Sequence, residues 1–177
     1  MRETGILIGE LVVAGTVMGF MIYNLWAEWS AVAYVPSNRA MVARALKMLG
    51  MKKGRSFWDL GSGDGRVVSM AVREYGVAGV GIEINPFLTA WARWISRKDR
   101  GEARFMNGSF WKVNLQQADY VYCYLSPRAM RRLAGKFEKE LKSGARVVSR
   151  AFAIPQLTHR LWREVKYPEG RLFLYRF

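Results

Sequence analysis

An α/β fold is predicted by three observations. Short apolar runs that read as strands alternate with stretches of helical periodicity between residues 56 and 152. A glycine-rich turn, Gly61-Ser62-Gly63-Asp64-Gly65, joins the first such strand, Ser56–Leu60, to the first such helix, Arg66–Tyr75. An acidic residue stands near the end of each of the first two strands, Asp59 in one and Glu83 in the run Val77–Ile84. Glycines at this spacing let the chain swing from strand into helix and approach a ligand without Cβ interference. A carboxylate about 20 residues further on grips ribose hydroxyls in nucleotide-binding βαβ units.

The turn departs from both common phosphate-binding patterns. Its spacing, Asp-Leu-Gly-Ser-Gly-Asp-Gly, is not G-x-G-x-x-G, and no G-x-x-x-x-G-K-[S/T] loop occurs in the chain. Asp59 and Asp64 flank the glycines, which suits a cationic ligand better than a pyrophosphate. S-adenosylmethionine, with a sulfonium, an ammonium group and a ribose, fits such a loop, and Asp59, Gly61, Gly63, Gly65 and Glu83 are the residues expected to hold it. The competing reading is an ordinary tight turn beside a solvated glutamate.

Asp59–Arg66 (DLGSGDGR) together with Gly81–Asn85 (GIEIN) resembles the first two motifs of class I S-adenosylmethionine-dependent methyltransferases. More narrowly, Tyr34–Ser37 (YVPS), Tyr124–Pro127 (YLSP), Gly144–Ser149 (GARVVS) and Leu172–Arg176 (LFLYR) resemble one branch. It comprises the small archaeal protein-lysine methyltransferases and the related mitochondrial enzymes that modify the ATP synthase c subunit and the adenine nucleotide translocase. The resemblance covers residues 34–177. It implies a Rossmann-like, seven-stranded, mostly parallel sheet with an antiparallel C-terminal strand, and transfer of methyl groups to lysine side chains of a protein substrate. Many members carry an Asp after the third strand that accepts from the adenine amine. Here Asn107 and Ser109 occupy that turn, either able to accept a hydrogen bond, and Phe110 either covers the adenine or fills the core.

The remaining elements follow in order. Ser37 is the expected N-cap of a helix whose Met41, Ala45, Met48 and Leu49 share a face before Gly50 stops it. Pro86 opens a helix reaching about Arg97, with Leu88, Trp91, Ala92 and Ile95 as an apolar stripe and both Trp91 and Trp94 expected in the core. Ala103–Met106 reads as a short strand and Ala118–Leu125 as a buried central one. The latter delivers Tyr124 to the carboxyl edge, where open α/β sheets place ligands. Arg128–Leu141 is a basic amphipathic helix with Arg131, Arg132, Lys136 and Lys139 facing out; Ala145–Phe152 is a strand; Trp162–Tyr167 and Arg171–Phe177 form a closing hairpin. Tyr124 and Tyr34 are the expected substrate-side residues. Packing is the alternative for Tyr124, and anchoring at a membrane surface for Tyr34.

Residues 5–26 are almost wholly apolar, broken by Glu10 and Asn24, and aromatic residues Tyr23, Trp26 and Trp29 gather at their end. That length and belt predict a transmembrane helix in an anchor spanning residues 1–33, ahead of a catalytic domain over 34–177. Arg39, Arg44 and Lys47 follow the span, so a single-pass protein with its catalytic domain facing the cytosol, or the matrix if mitochondrial, is expected. A signal peptide ending at Ala31-Val32-Ala33 and a buried or interfacial helix are the rival readings.

Charge and composition narrow the chemistry. Residues 34–177 carry 27 basic and 11 acidic side chains, a cationic surface suited to nucleic acid, anionic lipid or acidic protein. The single cysteine, Cys123, and single histidine, His159, cannot build a zinc site, and no metal is expected. Cys123 reads as a buried small hydrophobe and His159 as a surface residue. An RNA methyltransferase and a non-catalytic binding module are the alternatives to the lysine enzyme. The absence of Asn-Pro-Pro-Tyr after the fourth strand counts against the first, and the intact glycine turn against the second.

Overall fold

A computed structural model describes residues 9–19, 21, 38–99 and 101–177. The chain forms two compact units, Met1–Tyr34 and Val35–Phe177. In the first, residues 9–19 are helical. Among the described residues no helix is long and apolar enough to cross a membrane. This corrects the expected transmembrane helix, and with it the single-pass location facing cytosol or matrix. The described helical residues, 9–19 and 21, are fewer than the roughly 20 apolar residues that a span needs. Tyr23, Trp26, Trp29 and the Tyr34–Ser37 segment lie outside the described residues.

The second unit is built on a seven-stranded sheet. Its strands are β1 (Ser56–Leu60), β2 (Ala78–Glu83), β3 (Ala103–Asn107), β4 (Tyr120–Cys123), β5 (Arg146–Arg150), β6 (Leu161–Tyr167) and β7 (Gly170–Arg176). They lie in the order β3-β2-β1-β4-β5-β7-β6. The first five pair in parallel, and β7 runs antiparallel to both neighbours. The order reverses between β1 and β4, the switch point at which α/β sheets open a crevice at their carboxyl edge.

Helices α1 (Arg39–Leu49), α2 (Arg66–Tyr75), α3 (Pro86–Ile95) and α4 (Pro127–Glu140) supply the connections. Met41, Ala45, Leu46 and Leu49 of α1 and Val67, Val68, Ala71 and Val72 of α2 are buried with Phe57, Tyr122 and Val148 of the sheet. The N-cap of α1 is Asn38, whose Oδ1 accepts from Ala40 N at 2.9 Å, in place of the expected Ser37. Asn38 is as good a cap as serine and sits one residue nearer the first helical turn.

Two expectations about helix faces are corrected. On α3 the buried residues are Thr89 and Ala92. Trp91 and Trp94 are 53% and 56% exposed and pack on each other at 5.2 Å, outside the core. Small residues face the sheet because α3 crosses closely over the glycine turn, as Ala92 beside Gly65 shows. On α4, Lys136 does not face out: its Nζ donates to Val113 O at 2.6 Å and meets Glu140 at 2.8 Å.

Asp119 ties the amino ends of β1 and β4 to the chain after α4. Its Oδ2 accepts from Ser56 N at 2.9 Å, and its Oδ1 pairs with Lys142 Nζ at 2.8 Å. Burial pushes its pKa up, but hydrogen bonds from Lys142 and Ser56 outweigh this and hold it low. A depressed carboxyl stabilises above its unfolded pKa, and that contribution disappears as pH falls through the folded value. Asp119→Ala should therefore lower stability by about 1–3 kcal/mol at neutral pH. Urea titrations should show the gap to wild type closing in strong acid.

Candidate functional site

The carboxyl ends of β1, β2, β4 and β5 meet at one edge of the sheet, around the turn that follows β1. Gly61, Gly63 and Gly65 all adopt left-handed backbone, with φ of 82°, 55° and 79°. The turn is fastened to β2 at three points. Gly61 N and Ser62 N donate to Ile82 O at 2.9 and 3.0 Å, and Gly63 N donates to Glu83 Oε2 at 2.9 Å. Glu83 Oε1 accepts from Asn85 N at 2.8 Å. A carboxylate offers about four acceptor positions, so Glu83 braces the turn and still has acceptor capacity for ligand hydroxyls.

Close packing makes glycine obligatory here. A Cβ on Gly65 would lie 2.6 Å from the Phe105 ring and 2.8 Å from Ala92 Cβ. On Gly81 it would lie 2.6 Å from Phe105 and 2.7 Å from Ser62 Oγ. The second contact explains why β2 carries a glycine directly beneath the turn.

Asp59 is the electrostatic anomaly. It is 2% exposed, and its carboxylate makes no hydrogen bond among the described residues. Burial drives its pKa well above the usual carboxylate range, and the charges of Glu83 and Asp64 push it further. Asp64, the other acid flanking the glycines, binds Arg66, with Oδ2 at 2.6 Å from Nη2 and 2.8 Å from Nε. Ser62 Oγ is buried without a partner.

The remaining expected residues lie along the same edge. Asn107, at the end of β3, donates its Nδ2 to Glu83 O and Ile84 O at 3.1 Å, which leaves its carbonyl as the acceptor. Ser109 Oγ accepts from Trp111 N at 3.4 Å. Phe110 is buried against the Trp111 ring, with centroids 4.7 Å apart. Tyr124 follows β4 and carries the Arg150 guanidinium over its ring at 4.4 Å. Tyr34 lies outside the described residues.

Cys123 is buried with its thiol pKa pushed up by desolvation. His159 bonds Glu138 at the surface at 2.8 Å. Sequence reasoning missed Arg150, buried at the end of β5. The available signal was a charged residue closing an apolar strand at the carboxyl edge, the pattern that singled out Asp59 and Glu83.

S-adenosylmethionine fits this set. An unpaired buried carboxylate suits its ammonium group, spare acceptors on Glu83 suit ribose hydroxyls, and the glycines leave the turn open to close approach.

The ANTKMT methyltransferase domain matches residues 59–160. The chain is 35% identical over 127 residues to a human ATP synthase c-subunit lysine N-methyltransferase, covering 71% of this chain and 54% of that protein. It is 36% identical over 126 residues to a protein-lysine N-methyltransferase of Saccharolobus islandicus, covering 70% and 78%. The chain thus spans about half the length of the human relative. Its fold superposes with a TM-score of 0.75 on an RNA methyltransferase from Salinibacter ruber in complex with S-adenosyl-L-homocysteine, at 30% identity over 80% of this chain and 93% of that one.

Two outcomes follow from the site's packing and charge. Gly65→Ala should cost about 2–4 kcal/mol in a denaturant titration, through left-handed strain and overpacking against Phe105. Asp59→Asn should stabilise the ligand-free protein at neutral pH. Because the folded pKa exceeds the unfolded one, the penalty is absent below the unfolded value and complete once pH has risen through the folded value. Thermal melts should show a gain of about 2–4 °C for each kcal/mol recovered, and none in strong acid.

Proposed function

The chain belongs to the family of the ANTKMT methyltransferase domain, and from that membership we propose that it is an S-adenosylmethionine-dependent protein-lysine N-methyltransferase. The observation that carries the reading is Asp59, a buried carboxylate without a hydrogen bond beside the glycine turn. Such a group is a seat for a ligand cation and not half of an internal ion pair. When bound, the cofactor supplies an electrophilic methyl group on a positively charged sulfur.

The chain's own residues bind, orient and exclude water. Asp59 holds the ammonium end and Glu83 the ribose hydroxyls, with Gly61, Gly63 and Gly65 shaping the turn around them. The Asn107 carbonyl and the Ser109 hydroxyl accept from the adenine amine, and Phe110 closes over the ring. Tyr124 lines the target side, and its hydroxyl accepts an N–H of the incoming amine and so directs the nitrogen lone pair. Tyr34 forms a second aromatic wall. A lysine ammonium becomes nucleophilic only after losing its proton and its water. Aromatic walls favour both, and alignment with desolvation supplies the rate.

The lysine specificity draws on the curated relatives, both described as lysine N-methyltransferases. RNA is the second reading, favoured by the likeness to the Salinibacter enzyme and by the basic surface. Purified protein offered methyl-tritiated S-adenosylmethionine with a membrane fraction, a soluble extract and total RNA should label protein. Acid hydrolysis of the labelled protein should release methyllysine, whereas label in RNA contradicts the lysine reading. Glu83→Ala should weaken cofactor binding at least tenfold by calorimetry. Glu83→Gln, which keeps acceptor oxygen beside Gly63 N, should lose less.

A further inference from the structure

Among the described residues, two charged side chains are buried without a hydrogen bond at the carboxyl edge of the sheet, Asp59 and Arg150. Arg150 closes β5, is 8% exposed, and forms no ion pair among the described residues. Its Nη1 is buried without a partner. Other arginines of the domain are answered: Arg73 by Asp99 at 2.6 Å, Arg93 by Phe105 O at 2.8 Å, and Arg146 by Leu49 O at 2.8 Å. The contact Arg150 does make is with the Tyr124 ring, whose centroid lies 4.4 Å from Cζ, and it satisfies none of the five N–H donors.

The two unpaired groups share one side of the sheet. Asp59 pairs across with Tyr122, and Tyr122 with Val148, so these side chains form a row on the same face. Arg150 lies two residues beyond Val148 and returns to that face. One strand separates β1 from β5, which sets their backbones about 10 Å apart. The length of an arginine side chain closes much of that gap. The next residue, Ala151, is held at φ 70°, the one positive φ at a non-glycine position among the described residues. Ala151 N donates to Arg171 O at 2.9 Å, and Ser149 Oγ donates to Phe152 O at 2.5 Å. Strain concentrated directly after Arg150 fixes where β5 stops and the direction the guanidinium leaves it.

We propose that Arg150 is the seat of the cofactor's carboxylate, so that Asp59 and Arg150 grip the two opposite charges of its amino-acid tail. The proposal rests on the cofactor reading above. A buried anion and a buried cation, neither paired with the other, match an α-amino acid zwitterion and not a singly charged ligand. The planar fork of arginine suits a carboxylate, which it binds through two N–H groups. A target lysine is excluded as its ligand by like charge. Because the guanidinium also stacks on Tyr124, filling the tail site fixes the wall against which the target side chain rests.

Calorimetry on the full chain compares S-adenosylhomocysteine with its decarboxylated counterpart, which lacks the carboxylate and keeps the ammonium group. Wild type should bind the complete ligand at least tenfold more tightly. Arg150→Met should bring the two within twofold of each other, and Arg150→Lys, which keeps charge without the fork, should retain part of the difference. Equal binding by wild type, or undiminished discrimination by Arg150→Met, overturns the assignment and leaves the cofactor reading standing. A wild type that binds neither ligand overturns both. Should Arg150→Met fail to fold, the wild type and Arg150→Lys titrations decide the matter.

Discussion

A nearly buried carboxylate with no hydrogen bond among the described residues is a liability that a fold does not keep without a use. Asp59 occupies that position at the switch point between β1 and β4. The surrounding structure holds it in place without relieving it. The turn after it is fastened to Ile82 and Glu83, and α3 presses small residues against the turn. The neighbouring acid is taken by Arg66. On the proposed reading a ligand cation meets this charge, an arrangement in which stability is lost to gain binding.

Glu83 shows how one residue serves both fold and site. As acceptor for Gly63 N and Asn85 N it shapes the glycine turn and the entrance to α3. As the acid at the end of β2 it faces the same opening. On the proposed reading, a change there alters turn geometry and ligand contacts together. Arg150 and Tyr124 form a parallel pair on the far side of the opening, one positioned by the other. Glu83 ends β2 and Arg150 ends β5, each one strand outside β1 and β4, between which the sheet order reverses.

The sheet and the turn were legible in the sequence because each rests on local chemistry. Glycines at alternate positions, an acid at each strand end, and apolar runs of strand length identify β1, β2 and the helix between them whatever the tertiary context. Readings that depended on a neighbour's position were not legible in the same way. The period of α3 marks Leu88, Trp91, Ala92 and Ile95 as one apolar stripe, and the close crossing at Gly65 instead turns the small residues Thr89 and Ala92 inward. Lys136 looks like a solvated charge until Val113 O and Glu140 are brought to it by the fold. The Asp64–Arg66 pair takes up one of the two acids that flank the glycines, through a side-chain direction that spacing does not encode. The N-terminal expectation rested on hydropathy, and no helix among the described residues is long and apolar enough to cross a membrane.

Proton release on binding tests most directly whether Asp59 is the ammonium seat. Its raised pKa in the free protein must fall when a positive charge arrives, so binding at pH values above the ordinary carboxylate pKa should expel protons. Titrations in buffers of differing ionisation enthalpy should show release with S-adenosylhomocysteine and none with 5′-methylthioadenosine, which lacks the ammonium group. Equal release with both ligands, or binding of S-adenosylhomocysteine with no release at any pH in that range, would contradict the account.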